Sequence, residues 1–153
     1  MKVTVFGIGY VGLVQAAVLA EVGHLVCCVD VNSEKINKLK QGIIPIYEPG
    51  LTSLVTSNYE ADRIKFTTSA EEGVAFGEIL IIAVGTPPDK SGSADLQFVL
   101  SVAETIASNM QESKIIINKS TVVQQTKFQT LFNRYSKIKK MIWGSLSYQI
   151  RSF

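Results

Sequence analysis

The sequence has few residues that could form disulfide bonds and no long apolar run that could cross a membrane. Only two of its 153 residues are cysteine, and because Cys27 and Cys28 are adjacent, they cannot form an ordinary disulfide with each other. No run of apolar residues approaches the roughly 18 that a transmembrane helix needs. The N-terminal residues lead straight into a strand-like run, with no secretory cleavage site. We therefore expect a cytoplasmic protein with no membrane association.

Acidic residues are absent from the C-terminal part of the chain. All 13 lie at or before Glu112, whereas six of the 15 basic residues follow Thr121. A basic segment of this kind can bind nucleic acid or an anionic membrane surface. Alternatively, the last residues have a different origin from the rest, and a change of motif at the same point favours this second interpretation. Nucleic-acid binding is therefore the less favoured explanation.

Apolar, β-branched runs alternate with helix-patterned segments along most of the chain. With 46% hydrophobic and 18% charged residues, this alternation indicates one globular α/β domain. We predict a Rossmann-type, doubly wound parallel sheet with three layers, truncated after about the fifth strand. The predicted strands are Lys2–Phe6, Leu25–Val29, Ile64–Phe66, Ile79–Ala83 and Ile115–Asn118. The predicted helices are Val11–Val22, Glu34–Gln41 capped by Asn32 or Ser33, a short one ending near Ser57, and Asp95–Met110.

The stretch VFGIGYVGL, Val5 to Leu13, carries three glycines between the first strand and the first helix. Gly7 permits the sharp turn, Gly9 removes a side chain that would block a pyrophosphate, and Gly12 lets the helix pack closely on the sheet. Amide groups at the helix N-terminus would then face the anion. The alternative is a tight turn with incidental glycines, but strand, helix and a following acidic residue together favour a dinucleotide-binding loop.

Asp30 lies at the end of the second strand, where its carboxylate can accept hydrogen bonds from the adenosine ribose. It would repel a 2′-phosphate, so we predict NAD rather than NADP. Lys35 can reach the same ribose, although a solvent-facing lysine is an equally good interpretation of its position. Two further loops follow strands at the same edge, VGTPP at Val84–Pro88 and KSTV at Lys119–Val122. Their hydroxyl groups can bond cofactor or substrate, although turn formation alone would select the same residue types.

These motifs occur together in a known family. GIGYVG, VDVN with Lys35 beyond it, PIYEPGL, AVGTP, GSADL and NKSTV resemble, in the same order, the UDP-glucose/GDP-mannose dehydrogenase family, most closely its bacterial UDP-glucose 6-dehydrogenases. The resemblance implies NAD as cofactor and oxidation of UDP-glucose to UDP-glucuronate with two NAD. It implies no chemical role for Glu48. The cofactor contacts that it implies are Gly7, Ile8, Gly9, Tyr10, Val11, Gly12, Asp30, Lys35, Val84, Gly85, Thr86, Pro87, Ser120, Thr121 and Val122, with Thr121 near the reacting centre.

The resemblance stops at about residue 122. The chain reads VQQT at 123–126, where the family continues with PVGT, and it lacks the family's later glutamate segment and its cysteine motif. We therefore expect an NAD-binding domain at 1–122 and a divergent basic tail at 123–153, with a helix at 126–137 and irregular structure after it. A truncation, a frameshift or an alternative C-terminus would each produce this pattern.

Neither cysteine is expected to replace the missing nucleophile. Neighbouring residues of a strand point to opposite faces, so Cys27 and Cys28 are expected to be buried and apart from the nicotinamide. Together with His24 they cannot converge on one ion, and no metal site is predicted.

The resemblance thus implies the NAD-binding portion of a UDP-glucose 6-dehydrogenase that is inactive alone and binds UDP-glucose weakly if at all. One alternative is a non-catalytic protein that associates with itself or with full-length homologues. Another is a related dehydrogenase of GDP-mannose or UDP-N-acetylmannosamine.

Overall fold

A computed structural model of the chain describes residues 1–88 and 95–120, together with the backbone of residues 142–145. The predicted helix at 126–137, Thr121 and Val122 lie outside the described residues. The elements in chain order are β1 (Lys2–Phe6), α1 (Tyr10–Glu21), β2 (Leu25–Val29), α2 (Ser33–Lys40), α3 (Leu51–Glu60), β3 (Ile64–Thr67), α4 (Ala70–Phe76), β4 (Ile79–Ile82), α5 (Gln97–Asn109), β5 (Ile115–Asn118) and β6 (Ile142–Ser145).

All neighbouring strands of the sheet run parallel, in the order β3-β2-β1-β4-β5-β6. The chain first adds strands to one side of β1 and then crosses to add β4, β5 and β6 on the other side. This is the doubly wound order of a Rossmann fold, and it confirms the predicted fold class. The reversal between β1 and β4 opens a crevice beyond the carboxyl ends of these two strands.

The structure corrects one part of that prediction, because the sheet does not end at the fifth strand. Ile142–Ser145 pairs with β5, in the register Ile115 to Ile142 and Asn118 to Ser145. The sequence of this strand, IWGS, is short and contains a glycine, which weakens strand propensity. Pairing with a neighbouring strand, rather than local preference, therefore defines β6.

Helices cover both faces of the sheet and produce two separate apolar cores. One core combines one face of the strands with α1, α2 and α3, and the other combines the opposite face with α4 and α5. Neighbouring strand residues divide between the cores, as Cys27 and Cys28 do. The sheet is therefore the middle of three layers, and its strands are apolar on both sides, as the sequence predicted.

Helix α2 begins where a side chain can satisfy its free amides. The side chain of Asn32 accepts a hydrogen bond from the Lys35 amide at 2.9 Å, so Asn32 rather than Ser33 is the N-cap. This cap fixes the start of α2, whose third residue, Lys35, turns back toward the end of β2 and bonds to Asp30.

Candidate functional site

The glycine loop between β1 and α1 lies at the switch in strand order. Gly7 has φ +93°, a conformation that residues with a Cβ rarely adopt. A Cβ built there would lie 2.9 Å from the carbonyl oxygen of Ala83 and 2.9 Å from the Cα of Val84. Gly7 therefore turns the chain into α1 and also allows the exit of β4 to approach.

Gly9 leaves open space in front of the first turn of α1. A Cβ built at Gly9 has no neighbour within 4 Å. Gly9 is the N-cap of α1, and no side chain caps the helix there. The amides of the first turn have no partners within the helix, and they lie at the positive end of its dipole. The arrangement therefore fits an anion such as a pyrophosphate, as the sequence predicted.

Gly12 is required for the contact between helix and loop. A Cβ built at Gly12 would lie 1.9 Å from the carbonyl oxygen of Gly7, a distance that no side chain tolerates. The same Cβ would lie 3.5 Å from the Cβ of Ala83, the residue after β4. Of the three glycines, Gly7 and Gly12 are thus needed to build the loop, and Gly9 leaves the loop open.

Asp30 points toward the glycine loop. Its Oδ2 accepts a hydrogen bond from the Ile8 amide at 2.9 Å and another from Lys35 Nζ at 2.8 Å, and its Oδ1 accepts one from the Asn32 amide at 3.0 Å. Burial alone would raise the pKa of this carboxyl, but the hydrogen bonds from Lys35, Asn32 and Ile8 outweigh it and hold the pKa below its ordinary value. Asp30 is therefore ionised at neutral pH and placed beside the loop.

Removing the charge of Asp30 should change the pH dependence of stability. Because its pKa is lowered on folding, Asp30 stabilises the fold above the ordinary aspartate value of about 3.9, and this contribution is lost as pH falls below it. We expect Asp30→Asn to be less stable than wild type at pH 7 and the difference to shrink toward pH 3. Urea unfolding at both pH values measures this. The control is Asp62→Asn, because Asp62 is an exposed aspartate in the turn before β3. If both variants showed the same change of stability with pH, the lowered pKa of Asp30 would be contradicted.

A cavity of about 400 Å³ extends from the glycine loop across the carboxyl ends of β1, β2 and β4. Its lining is mostly apolar, and Asp30 and Lys35 are its ionisable residues. The predicted residues in the lining are Gly7, Gly9, Asp30, Lys35, Val84, Gly85 and Pro87. Others that the sequence did not single out are Phe6, Val29, Val31, Thr68, Ala70, Ala83, Phe98, Ser101, Val102 and Thr105. Phe98 lies on the first turn of α5 and is 56% exposed. The helical pattern of the sequence could have indicated it, because this large apolar residue lies off the core-facing side of its helix.

The remaining predicted residues are near the loop but have other surroundings. Ile8 is fully buried, and its amide is bonded to Asp30. Tyr10 is exposed, and its hydroxyl donates a hydrogen bond to the carboxylate of Glu48 in the PIYEPGL segment. This bond to Glu48 raises the pKa of Tyr10. Val11 is exposed beside Tyr10, and Thr86 does not line the cavity.

The two cysteines are free and fully buried. Burial raises the pKa of Cys27 to about 11 and that of Cys28 well above its ordinary value. Both thiols are therefore protonated at neutral pH and poor nucleophiles, and their burial on opposite faces confirms the prediction.

Within residues 1–88 and 95–120, no three histidine, cysteine, aspartate or glutamate side chains come together in a way that could hold a metal ion. No helix in the part of the chain that the structure describes combines the length and the apolar character needed to cross a bilayer.

Fold and site together define a dinucleotide-binding domain of the Rossmann class. A model of the UDP-glucose/GDP-mannose dehydrogenase family, NAD binding domain, matches residues 1–151. The chain belongs to this family, and NAD is the cofactor of the matching domain. The family model continues past residue 122, where the recognisable motifs end.

Curated relatives match over most of this chain. The chain is 48% identical over 122 residues to a UDP-glucose 6-dehydrogenase of Pseudomonas aeruginosa, covering 80% of this chain and 27% of that protein. It is 47% identical over 121 residues to UDP-glucose 6-dehydrogenase TuaD of Bacillus subtilis, covering 79% and 26%. The chain thus spans about a quarter of the length of these relatives.

Solved structures of dehydrogenases share the fold. A GDP-mannose dehydrogenase from Pseudomonas aeruginosa superposes with a TM-score of 0.88 at 33% identity, over 95% of this chain and 35% of that one. A UDP-glucose dehydrogenase from Pyrobaculum islandicum superposes with a TM-score of 0.87 at 34% identity, over 94% and 35%.

Proposed function

We propose that this chain is the NAD-binding portion of a UDP-glucose 6-dehydrogenase and that it binds NAD without completing the reaction alone. The observation that carries this proposal is Asp30, which is ionised, nine-tenths buried and directed at the glycine loop. A carboxylate in this position accepts hydrogen bonds from ribose hydroxyls and repels a 2′-phosphate. The two curated relatives described above, both named UDP-glucose 6-dehydrogenases, support the choice of sugar nucleotide.

Different residues of the site would bind different parts of NAD. The amides of Tyr10, Val11 and Gly12 would receive the pyrophosphate, and Asp30 with Lys35 would hold the adenosine ribose. Lys35 already forms an ion pair with the carboxylate of Asp30 in the free chain, so binding the ribose there does not require the burial of an unpaired charge. The residues proposed to line the path toward the nicotinamide are Val84, Gly85, Thr86, Pro87, Thr121 and Val122. Ser120 adjoins them through its hydrogen bond to Val84.

NAD, when bound, supplies the hydride acceptor for oxidation of an alcohol. The second oxidation in the family needs a thiolate, and Cys27 and Cys28 cannot provide it, because both are buried and protonated at neutral pH. The family's cysteine motif is missing from the sequence. We therefore propose that the sugar site and the nucleophile of the family lie in the roughly three quarters of the longer relatives that this sequence does not span.

A melting experiment combined with an absorbance assay tests this proposal. The purified chain is mixed with NAD, with UDP-glucose and with both, and the Tm and the absorbance of reduced cofactor are followed. We expect NAD to raise the Tm, UDP-glucose to have little effect, and no reduced cofactor to form. If saturating NAD left the Tm unchanged, the proposed NAD binding would be contradicted. If reduced cofactor accumulated, the proposal that the chain cannot complete the reaction alone would be contradicted. GDP-mannose and UDP-N-acetylmannosamine in parallel test the related substrates.

A second candidate function is association with a full-length homologue or with another copy of the chain. Val11, Val18 and Val22 form one exposed stripe along α1, at 50%, 47% and 66% exposure. Such an apolar stripe is typical of a helix that another surface covers. Co-purification with a full-length dehydrogenase, lost on Val18→Lys, would favour this function. A monomer that retains no partner would count against it.

A further inference from the structure

The side chain of Ser120, which the family resemblance implies as a cofactor contact, bonds to the main chain at the exit of β4. Its Oγ donates a hydrogen bond to the carbonyl oxygen of Val84 at 2.8 Å and lies 3.5 Å from the carbonyl oxygen of Ile82. The hydroxyl therefore joins the exit of β5 to the exit of β4, across the edge of the sheet where the cavity opens.

Ser120 is itself held in place by Asn118, the last residue of β5. Asn118 is only 4% exposed. Its Oδ1 accepts a hydrogen bond from the Ser120 amide at 3.2 Å, and its Nδ2 donates one to the Ser120 carbonyl at 3.1 Å. The Lys119 amide between them donates to the carbonyl oxygen of Ile82 at 2.8 Å. A buried polar group with all of these bonds fixes the backbone around it, so the hydroxyl of Ser120 has a defined direction.

Val84, which accepts the bond from Ser120, lies directly against the glycine loop. The Cα of Val84 and the carbonyl of Ala83 come so close to Gly7 that a Cβ there would lie 2.9 Å from each. Gly7 in turn fits under α1, where its carbonyl oxygen occupies the space that a side chain at Gly12 would need. A shift of Val84 would therefore displace the glycine loop that would face the pyrophosphate, because Val84, Gly7 and Gly12 are in close van der Waals contact.

We propose that Ser120 is a positioning residue of the dinucleotide site, whose hydroxyl holds Val84 against Gly7. This inference rests on the proposed NAD-binding function. Ser120 thus acts on NAD through the main chain of residues 83–85 and not by touching the cofactor with its side chain. The adenosine end of the ligand, held at Asp30 on the other side of the loop, does not depend on it.

Two ligands show which part of the dinucleotide depends on Ser120. NAD spans the whole site, whereas AMP carries the adenosine end and a single phosphate. We expect Ser120→Ala to weaken NAD about five- to tenfold, the worth of one hydrogen bond, and AMP by less than about twofold. Ser120→Thr, which keeps the hydroxyl, should restore NAD affinity. Ser108→Ala is the matched control, since Ser108 Oγ donates to the carbonyl oxygen of Glu104 at 2.8 Å within α5, and it should bind as wild type.

Hydrogen exchange without any nucleotide supplies the decisive second measurement. We expect the amides of residues 83–86 to exchange faster in Ser120→Ala than in wild type or in Ser108→Ala. Weaker NAD binding with unchanged exchange at 83–86 would overturn the proposal in favour of direct contact, and unchanged NAD binding would overturn it outright. Ser120→Cys, similar in shape but a weak donor, replaces alanine if that variant melts too early to titrate.

Failure of the proposed function gives a different result. In that case wild type itself binds neither NAD nor AMP, whatever residue stands at position 120. The role of Ser120 in binding then falls with it, while the exchange comparison still reports whether the hydroxyl orders the exit of β4.

Discussion

Replacing Gly9 with alanine is expected to abolish detectable NAD binding while leaving the protein folded. A Cβ at Gly9 meets no protein atom within 4 Å, so the substitution creates no clash in the free chain. The φ of −84° suits alanine, and the lower entropy of the unfolded chain should keep the free energy of unfolding equal to wild type or about 0.5 kcal/mol above it. The same methyl group occupies the space in front of the helix amides, where the pyrophosphate would lie.

The loss of affinity should be large because more than one charge-assisted hydrogen bond depends on the approach. Each such bond contributes about 1.5–3 kcal/mol, so losing two weakens NAD at least about 100-fold. Calorimetric titration with NAD measures the affinity, and urea unfolding of the same sample measures the stability. If Gly9→Ala bound NAD with the affinity of wild type, this would show that the pyrophosphate does not approach this loop. A destabilised variant would show that Gly9 has neighbours.

Replacing Gly12 with alanine is expected to have the opposite effect, a loss of the fold itself. The added Cβ would lie 1.9 Å from the carbonyl oxygen of Gly7, and this neighbour is backbone, which cannot rotate away as a side chain can. Either α1 must move off the sheet or the loop must open. Overpacking of this kind costs about 3 kcal/mol or more, a large part of the stability of a domain of this size.

Thermal and urea unfolding of Gly12→Ala test this expectation, with Val18→Ala as the control in the same helix. Val18 is 47% exposed, and its truncation should change the free energy of unfolding by no more than about 0.5 kcal/mol. Gly12→Ala with the Tm of wild type would mean that α1 does not pack on the glycine loop as the structure has it.

The elements that the sequence predicted well are those whose signals are local. Three of the predicted strands, Lys2–Phe6, Leu25–Val29 and Ile115–Asn118, have the same bounds in the structure. Each is a short β-branched or apolar run bounded by polar or glycine residues, a pattern typical of a buried parallel strand. The glycine spacing likewise fixed the position of the loop, because few chain geometries need three glycines in that order.

Helix α4 was missed because its sequence is unfavourable for a helix. Its seven residues, AEEGVAF, include Gly73, which lowers helix propensity, and a helix this short is marginal alone. Its formation depends on tertiary contacts. Ser69 caps it by accepting a bond from the Glu72 amide at 3.1 Å, and a Cβ at Gly73 would lie 2.5 Å from a methyl group of Val29 on β2. The glycine that weakens the helix is what lets it lie on the sheet.

The walls of the cavity were the least predictable part of the site. Asp30 and Gly9 follow recognisable motifs, but Phe98 and Val102 reach the cavity from α5, more than sixty residues further along the chain. Helix α5 follows β4 along the chain and packs against α4 and β4, and only this tertiary packing brings its first two turns to the cavity. The bond from Ser120 to Val84 was hidden for the same reason, since it joins two loops 36 residues apart.

The most direct measurement of the central claim is an NMR titration of the isotope-labelled chain with NAD, with NADP in parallel. We predict that the largest amide shifts occur at residues 7–12 and 30–35, saturate with one NAD per chain and are much weaker with NADP. Shifts confined to other parts of the chain, or equal responses to both nucleotides, would contradict a pyrophosphate on the glycine loop with its ribose at Asp30.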